Sequence, residues 1–298
     1  MLAEPVNGRW IAKMLRKDRH HRRQHLWPHR GGCVTIKVDA SHQMIITLTT
    51  DFGLSDPFVG IMKGVILGIT PSVQLVDITH DIRSYDILEA AFLIETTYGY
   101  FPEGTVHIVV VDPGVGSARR PIAAVSHGHR FVGPDNGVLS AILENEAYHI
   151  ENNSFFLKHV SRTFHGRDVF APVAGHVARG IPVQSLGPRI FDFIRHPLPK
   201  PCREGARIVG TVLRVDKFGN VITNLRRTDL GSEFTIRVAG LPITRLCASF
   251  SQADPGQLFA VEGSTGYIEI ALNQGSAADQ LRVARGAEIE VETVSANH

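Results

Sequence analysis

The chain is poor in cysteine: three in 298 residues. Cys33, Cys202 and Cys247 are scattered without a CxxC pair and are odd in number, so neither a disulfide framework nor a cysteine zinc site is suggested, and a reducing cytoplasm fits. No stretch approaches the roughly 18 consecutive apolar residues of a membrane span, and the N-terminal segment lacks the apolar region of a secretory signal. The expectation is therefore a soluble, cytoplasmic protein. An excess of charge of one sign is also missing, the formal net charge being +2. Even that is localised: residues 1–43 carry nine Lys/Arg, concentrated between Arg16 and Arg30, against Glu4, Asp18 and Asp39, a net +6 that leaves the rest at −4. A mildly acidic body argues against nucleic acid as a partner, because nucleic-acid binding needs a basic folded surface. Tryptophan occurs only at Trp10 and Trp27, both in this basic leader.

With 43% hydrophobic residues, the chain can bury two unequal cores. Residues 1–43 have little apolar periodicity and read as a disordered leader; Met44, just before the first strand, is an alternative start of translation. From there β-branched runs alternate with helical ones, the mark of parallel strands joined by crossover helices. Strands are expected at Ile45–Thr49, Leu75–Ile78, Val106–Val111 and Arg130–Val132. Between them, Phe58–Ile69 and Asp86–Tyr100 have helical spacing and are stopped by Pro71 and Pro102. The Pro197–Pro201 stretch reads as a linker. Beyond it come short runs without long helices: Ile208–Val215, Val221–Asn224, Phe234–Val238, Gly266–Ala271 and Glu288–Glu292. The fold class is thus α/β, a doubly wound α/β domain over 44–200 followed by a smaller antiparallel β-barrel over 201–298.

Four polar clusters stand at strand ends or in loops, where open α/β sheets place ligands: Thr49–Gly53, Asp112–Gly116, Phe164–Asp168 and Asp216–Asn220. Each sets a carboxylate or imidazole beside glycine, which permits positive φ or a close ligand approach. Singly, each reads as a capped turn; four together point to a site. Asp51-Phe52-Gly53 is not a kinase motif, since no HRD, strand lysine or phosphate loop accompanies it. Asp112–Gly116 lacks the third glycine of a dinucleotide loop. Asp51, Asp112 and His165 do not have metal-ligand spacing, so no metal is expected.

Thr49–Gly53, Asp77-Ile78-Thr79-His80, Phe101–Val106, Asp112–Arg120, Pro134–Gly137, Thr163–Asp168 and Asp216–Asn224 together resemble, in order from Met44 onward, the S-adenosylmethionine hydroxide adenosyltransferases, relatives of the fluorinases and chlorinases. The resemblance implies an N-terminal α/β domain and a C-terminal β-barrel, assembled as a homotrimer with ligand sites between one subunit's N-domain and a neighbour's C-domain. It implies that S-adenosyl-L-methionine is the substrate, with no cofactor, and that Asp112, Arg119 and His165 form the catalytic trio. Asp51 would hold the ribose hydroxyls, Phe164 would line the pocket, and Asp216, Phe218, Asn220, Ser264, Glu269 and Asn273 would complete substrate binding. His80 and Asp168 would serve as structural hydrogen-bonding groups.

The implied chemistry is water attack at ribose C5′, opposite a sulfonium that leaves without acid catalysis, so orienting the water dominates. All three trio members take general-base or water-orienting roles. Halogenating relatives carry tyrosine where Asp112 stands; a carboxylate there opposes a halide by about 1–4 kcal/mol. A halogenase and a non-catalytic binder of S-adenosylmethionine or adenosine, which would keep Asp51 and Asn220 without needing the trio, are the alternatives.

Overall fold

The computed structural model describes residues 43–205 and 207–293. The leader, both tryptophans and Cys33 lie outside the described residues.

The first sheet has seven strands, β1 (Ile45–Thr50), β2 (Gln74–Thr79), β3 (Val106–Val110), β4 (Pro121–Ser126), β5 (His129–Pro134), β6 (Ala147–His149) and β7 (Arg189–Ile190), in the order β2-β1-β3-β5-β4-β6-β7. The first four of that order are mutually parallel, and the remaining pairings are antiparallel. β4 and β5 were not both anticipated from sequence: they form a hairpin closed by His127 and Gly128, whose φ of 48° and 77° suit the twist of a two-residue turn.

Helix α1 (Phe58–Ile69) returns β1 to β2, and α2 (Ile87–Thr97) returns β2 to β3. Pro57 precedes α1, which buries Val59, Met62 and Ile66. Met62 and Ile66 pack with Ile46, Leu48 and Ile108 on one face of the sheet, whereas Ala90, Phe92 and Ile94 of α2 pack with Val109, Val111 and Phe131 on the other. Each such large apolar side chain contributes about 1.5–3 kcal/mol by leaving water. Asp86 caps α2 by accepting from Glu89 N–H at 2.9 Å. The chain steps from β1 to β2 on one side and then crosses back to β3 on the other, so the carboxyl ends of β1 and β3 form a switch point, the natural crevice of an open α/β sheet. Helix α3 (Ala171–Ala178) packs beside α1, Gly175 letting Ile69 approach.

The second sheet contains β8 (Cys202–Glu204), β9 (Arg207–Val215), β10 (Val221–Arg226), β11 (Phe234–Val238), β12 (Leu241–Ile243), β13 (Leu246–Cys247), β14 (Leu258–Glu262), β15 (Tyr267–Leu272) and β16 (Glu288–Thr293). Its order is β12-β11-β16-β9-β10-β15-β14-β13, with β8 on β9. One apolar core joins Ile208, Val221, Ile236, Ile270 and Ile289, closed by Leu281 of α4 (Ala277–Leu281). The expected antiparallel barrel is a curled half-barrel: among the described residues β12 and β13 are not bonded to each other, and β13 runs parallel to β14.

α2 joins the two sheets. Phe92 meets Tyr267 at 5.5 Å between ring centres, Glu89 pairs with Arg214 at 3.2 Å, and Asp86 pairs with Arg285. Among the described residues no helix is long and apolar enough to cross a membrane.

Candidate active site

Asp51 directly follows β1 and Asp112 closely follows β3, so the parallel register sets both carboxylates at the switch point. The chain after Asp112 turns back on itself. Val115 N–H donates to Asp112 O at 3.2 Å, and Ser117 N–H to Gly114 O at 3.1 Å. Gly116 takes φ +76°, and a Cβ there would lie 2.2 Å from Arg162 O, so only glycine fits. This reversal returns Arg119 to Asp112: Nε donates to Oδ1 at 2.9 Å, and Nη2 donates to Oδ2. The two side chains are only 8% and 5% exposed, so this forked pair is shielded from the solvent that weakens surface pairs.

Arg119 Nη2 also lies 2.9 Å from His165 Nδ1. Guanidinium has donors only, so Nδ1 accepts and the neutral imidazole carries its hydrogen on Nε2. Burial, and then the Arg119 charge, lower the His165 pKa below its usual 6.5. His165 opens a π-helical turn, Gly166–Phe170, a distortion common at functional sites. The turn is fixed by Asp168, which is fully buried and accepts from Ser161 N–H at 2.7 Å and from Arg167 Nε at 2.6 Å. Arg119 packs over the Phe170 ring, and its Nη1 is buried with no acceptor among the described residues.

Asp51 Oδ2 accepts from Tyr85 N–H at 2.8 Å. Burial raises the Asp51 pKa, backbone hydrogen bonds from Tyr85 and from its own N–H offset part of this, and Asp112 adds to it. The loop is braced from below: His80 Nδ1 and Thr50 Oγ1 share a hydrogen bond at 2.8 Å, while His80 Nε2 stands 3.1 Å from Asp77 Oδ1. Phe164 joins Phe52 and Phe58 in edge-to-face contacts of 5.2–6.0 Å, an apolar wall beside the trio.

A second group forms on the half-barrel. Asp216 Oδ1 accepts from the N–H groups of Phe218 and Asn220 at 2.8 and 2.9 Å, and Oδ2 accepts from Asn220 Nδ2 at 2.9 Å. This tight loop needs Gly219 at φ +84° against Ser276 and leaves the Phe218 ring 73% exposed. Together with Ser264, Glu269 and Phe250 it lines a cavity of about 830 Å³. Burial raises the Glu269 pKa, and Asp216 adds to the shift. Asn273 is not on this wall; its amide donates to Ala253 O at 2.6 Å.

The structure thus gathers Asp51, Asp112, Arg119, Phe164 and His165 into one group, and Asp216, Phe218, Asn220, Ser264 and Glu269 into another. No member of the first lines the cavity of the second. Sequence reasoning missed Tyr85, whose φ of +70° is costly for a non-glycine, and the aromatic partner Phe58; Phe52 lay within the Thr49–Gly53 cluster but was given no role. Nothing local in the sequence signalled Tyr85 or Phe58.

Comparison with known proteins gives a consistent result. Models of the SAM hydroxide adenosyltransferase N-terminal and C-terminal domains match residues 46–187 and 210–290, one on each sheet. A Thermus thermophilus protein named (R)-S-adenosyl-L-methionine hydrolase is 37% identical, the match covering 81% of this chain and 97% of that one. Its namesake from Salinispora tropica is 38% identical over 83% and 97%. A fluorinase of Nocardia brasiliensis is 28% identical over 83% and 96%. Among solved structures, an uncharacterized conserved protein from Thermotoga maritima superposes with a TM-score of 0.77 at 37% identity, covering 83% of this chain and 99% of that one.

Proposed function

The chain belongs to the SAM hydroxide adenosyltransferase family, and we propose that it hydrolyses S-adenosyl-L-methionine to adenosine and L-methionine. The observation that carries this reading is the buried Asp112–Arg119–His165 constellation. Water oxygen attacks ribose C5′ while the C5′–S bond breaks, its electron pair passing to sulfur to give neutral methionine. The water proton needs an acceptor. With Nδ1 occupied by Arg119, His165 presents Nε2–H and holds the water oxygen as a donor; the Asp112 carboxylate takes the proton. Arg119 fixes both partners and favours the developing hydroxide. Phe52, Phe58 and Phe164 exclude competing solvent from this side.

Asp51 is assigned to the ribose hydroxyls and the Asp216–Asn220 loop, Ser264 and Glu269 to the remaining substrate, with Asn273 acting through the loop it braces. The separation of the two groups of residues supports a homotrimer in which one subunit's trio faces a neighbour's half-barrel. The reading includes a doubly wound N-terminal domain of residues 44–200, a C-terminal domain of 201–298, a cytoplasmic location and no cofactor. The names of the hydrolase relatives specify the (R) sulfonium, and the same preference is proposed for this chain. The halogenase alternative, raised by the fluorinase relatives, is opposed by the Asp112 carboxylate.

The test is to incubate the purified protein with S-adenosylmethionine, with and without chloride or fluoride, and to separate the nucleosides. Halide-independent adenosine that disappears in Asp112→Ala supports the hydrolase. A halogenated nucleoside, or substrate retained unchanged, overturns it.

A further inference from the structure

A second crevice lies apart from both groups of active-site residues except for one shared wall. It has a volume of about 370 Å³ and runs between the C-terminal end of α2, with Glu95 and Tyr98, and the half-barrel, with Arg226, Ser264, Thr265 and Tyr267. Its walls carry opposite charges. The Arg226 guanidinium carbon sits 3.4 Å above the Tyr267 ring centre, and Nη1 donates to Thr265 O at 2.9 Å. Glu95 faces the same space without an ion-pair partner among the described residues. Its Oε2 is buried without a hydrogen bond, and so is Thr265 Oγ1. Burial pushes the Glu95 carboxyl up, with Arg226 drawing it partly back.

Buried polar atoms without partners weaken a fold, and two of them on the wall of one open crevice mark a place for a ligand with matching groups. A carboxylate and a guanidinium that line one crevice without forming an ion pair complement an ammonium and a carboxylate carried on one small molecule. The exposed Tyr100 ring on the same wall suits an apolar or thioether side chain. We propose that this crevice binds a free α-amino acid, its ammonium on Glu95 and its carboxylate on Arg226. Ser264 lines both this crevice and the substrate cavity. The amino acid released across that shared wall is L-methionine, a choice that rests on the hydrolase reading.

Isothermal titration of the intact protein with L-methionine tests this, alongside L-methionine methyl ester, which lacks the carboxylate, and a hydrolysis assay of the same preparation. The expected result is saturable methionine binding, at least tenfold weaker in Glu95→Gln and for the ester, with Glu95→Gln still hydrolysing S-adenosylmethionine. Thr265→Val, which removes an unpartnered hydroxyl at constant shape, should weaken binding while leaving the melting temperature at or above wild type. Absence of binding by a protein that turns over S-adenosylmethionine overturns the proposal. So does binding indifferent to Glu95→Gln but lost in Asp216→Asn, which would place the amino acid in the substrate cavity. Glu95-dependent binding by a protein that does not hydrolyse would sustain the crevice and refute the hydrolase reading alone.

Discussion

Replacing Gly116 by alanine probes how far the chemistry depends on the loop that joins Asp112 to Arg119. At φ +76° an added Cβ would stand 2.2 Å from Arg162 O and 3.3 Å from Arg162 Cβ, whereas real Cβ contacts essentially never fall under 3.0 Å. The obstacle is backbone, so the loop must retreat by about 1 Å, a misplacement worth about 100-fold in rate when reacting groups move. The left-handed conformation adds about 1–2 kcal/mol of strain for any residue with a Cβ. In a chain of this size each kcal/mol lowers the melting temperature by about 2–4 °C. Gly116→Ala should therefore fold, melt a few degrees lower and lose about 100-fold in kcat, with a much smaller change in KM because Asp51 and the Asp216 loop are untouched. Gly114→Ala is the milder comparison: its Cβ would meet the Arg119 stem at 3.3 Å and Ser117 Oγ at 3.4 Å, contacts relieved by a few tenths of an ångström and not by a backbone retreat, so its loss of activity should be smaller than that of Gly116→Ala, within about tenfold of wild type. Initial rates of adenosine formation and melting curves read both effects. A Gly116→Ala enzyme with wild-type kcat would refute the argument that this reversal positions the trio.

Three other perturbations follow from the same geometry. His107 is fully buried, lies 2.7 Å from Thr47 Oγ1, and has its pKa lowered from 6.5 to about 3 by burial, with His129 adding to the shift. The unfolded chain binds this proton below pH 6.5 and the fold does not until near pH 3, so stability falls on acidification through that window, by about 3 kcal/mol at pH 4.5. Urea unfolding across pH should show a shallower dependence in His107→Gln, and identical slopes would contradict the assignment. For His165 the lowered pKa makes the neutral imidazole the working form, so kcat should hold level down to pH 6.5 and fall only below it; an acid limb centred above pH 6.5 would contradict the donor role. Finally, co-expressing Asp112→Ala with Asp216→Ala subunits should restore part of the activity that neither variant has alone, and failure to do so would count against sites shared between subunits.

The βαβαβ start of the chain was legible because α1 buries one stripe, α2 is a long apolar run ended before Pro102, and the strands between them are apolar runs. α1 matches the residues read from periodicity. The β4–β5 hairpin was missed because its turn is His127-Gly128 and not an Asn-Gly signal, and α3 because it is buried nearly all round and shows no polar face. Glycine beside a carboxylate at strand ends pointed correctly to tight loops: Gly53, Gly116 and Gly219 all take positive φ. What local pattern could not supply is the long-range pairing. That Arg119 folds back on Asp112 and reaches His165, 46 residues away, came from family resemblance, and the buried His107–His129 contact and the strained Tyr85 left no mark on the sequence. Asn273 directly follows β15 and turns its amide to the backbone, a direction that sequence order does not encode.

The central claim is that water activated between Asp112 and His165 attacks C5′ and breaks the carbon–sulfur bond. The most direct measurement is hydrolysis of S-adenosylmethionine in ¹⁸O-labelled water with mass analysis of both products. The account predicts one labelled oxygen in adenosine, at the 5′-hydroxyl, unlabelled methionine, and no labelled adenosine from Asp112→Ala. Unlabelled adenosine, or label appearing in methionine, would contradict it.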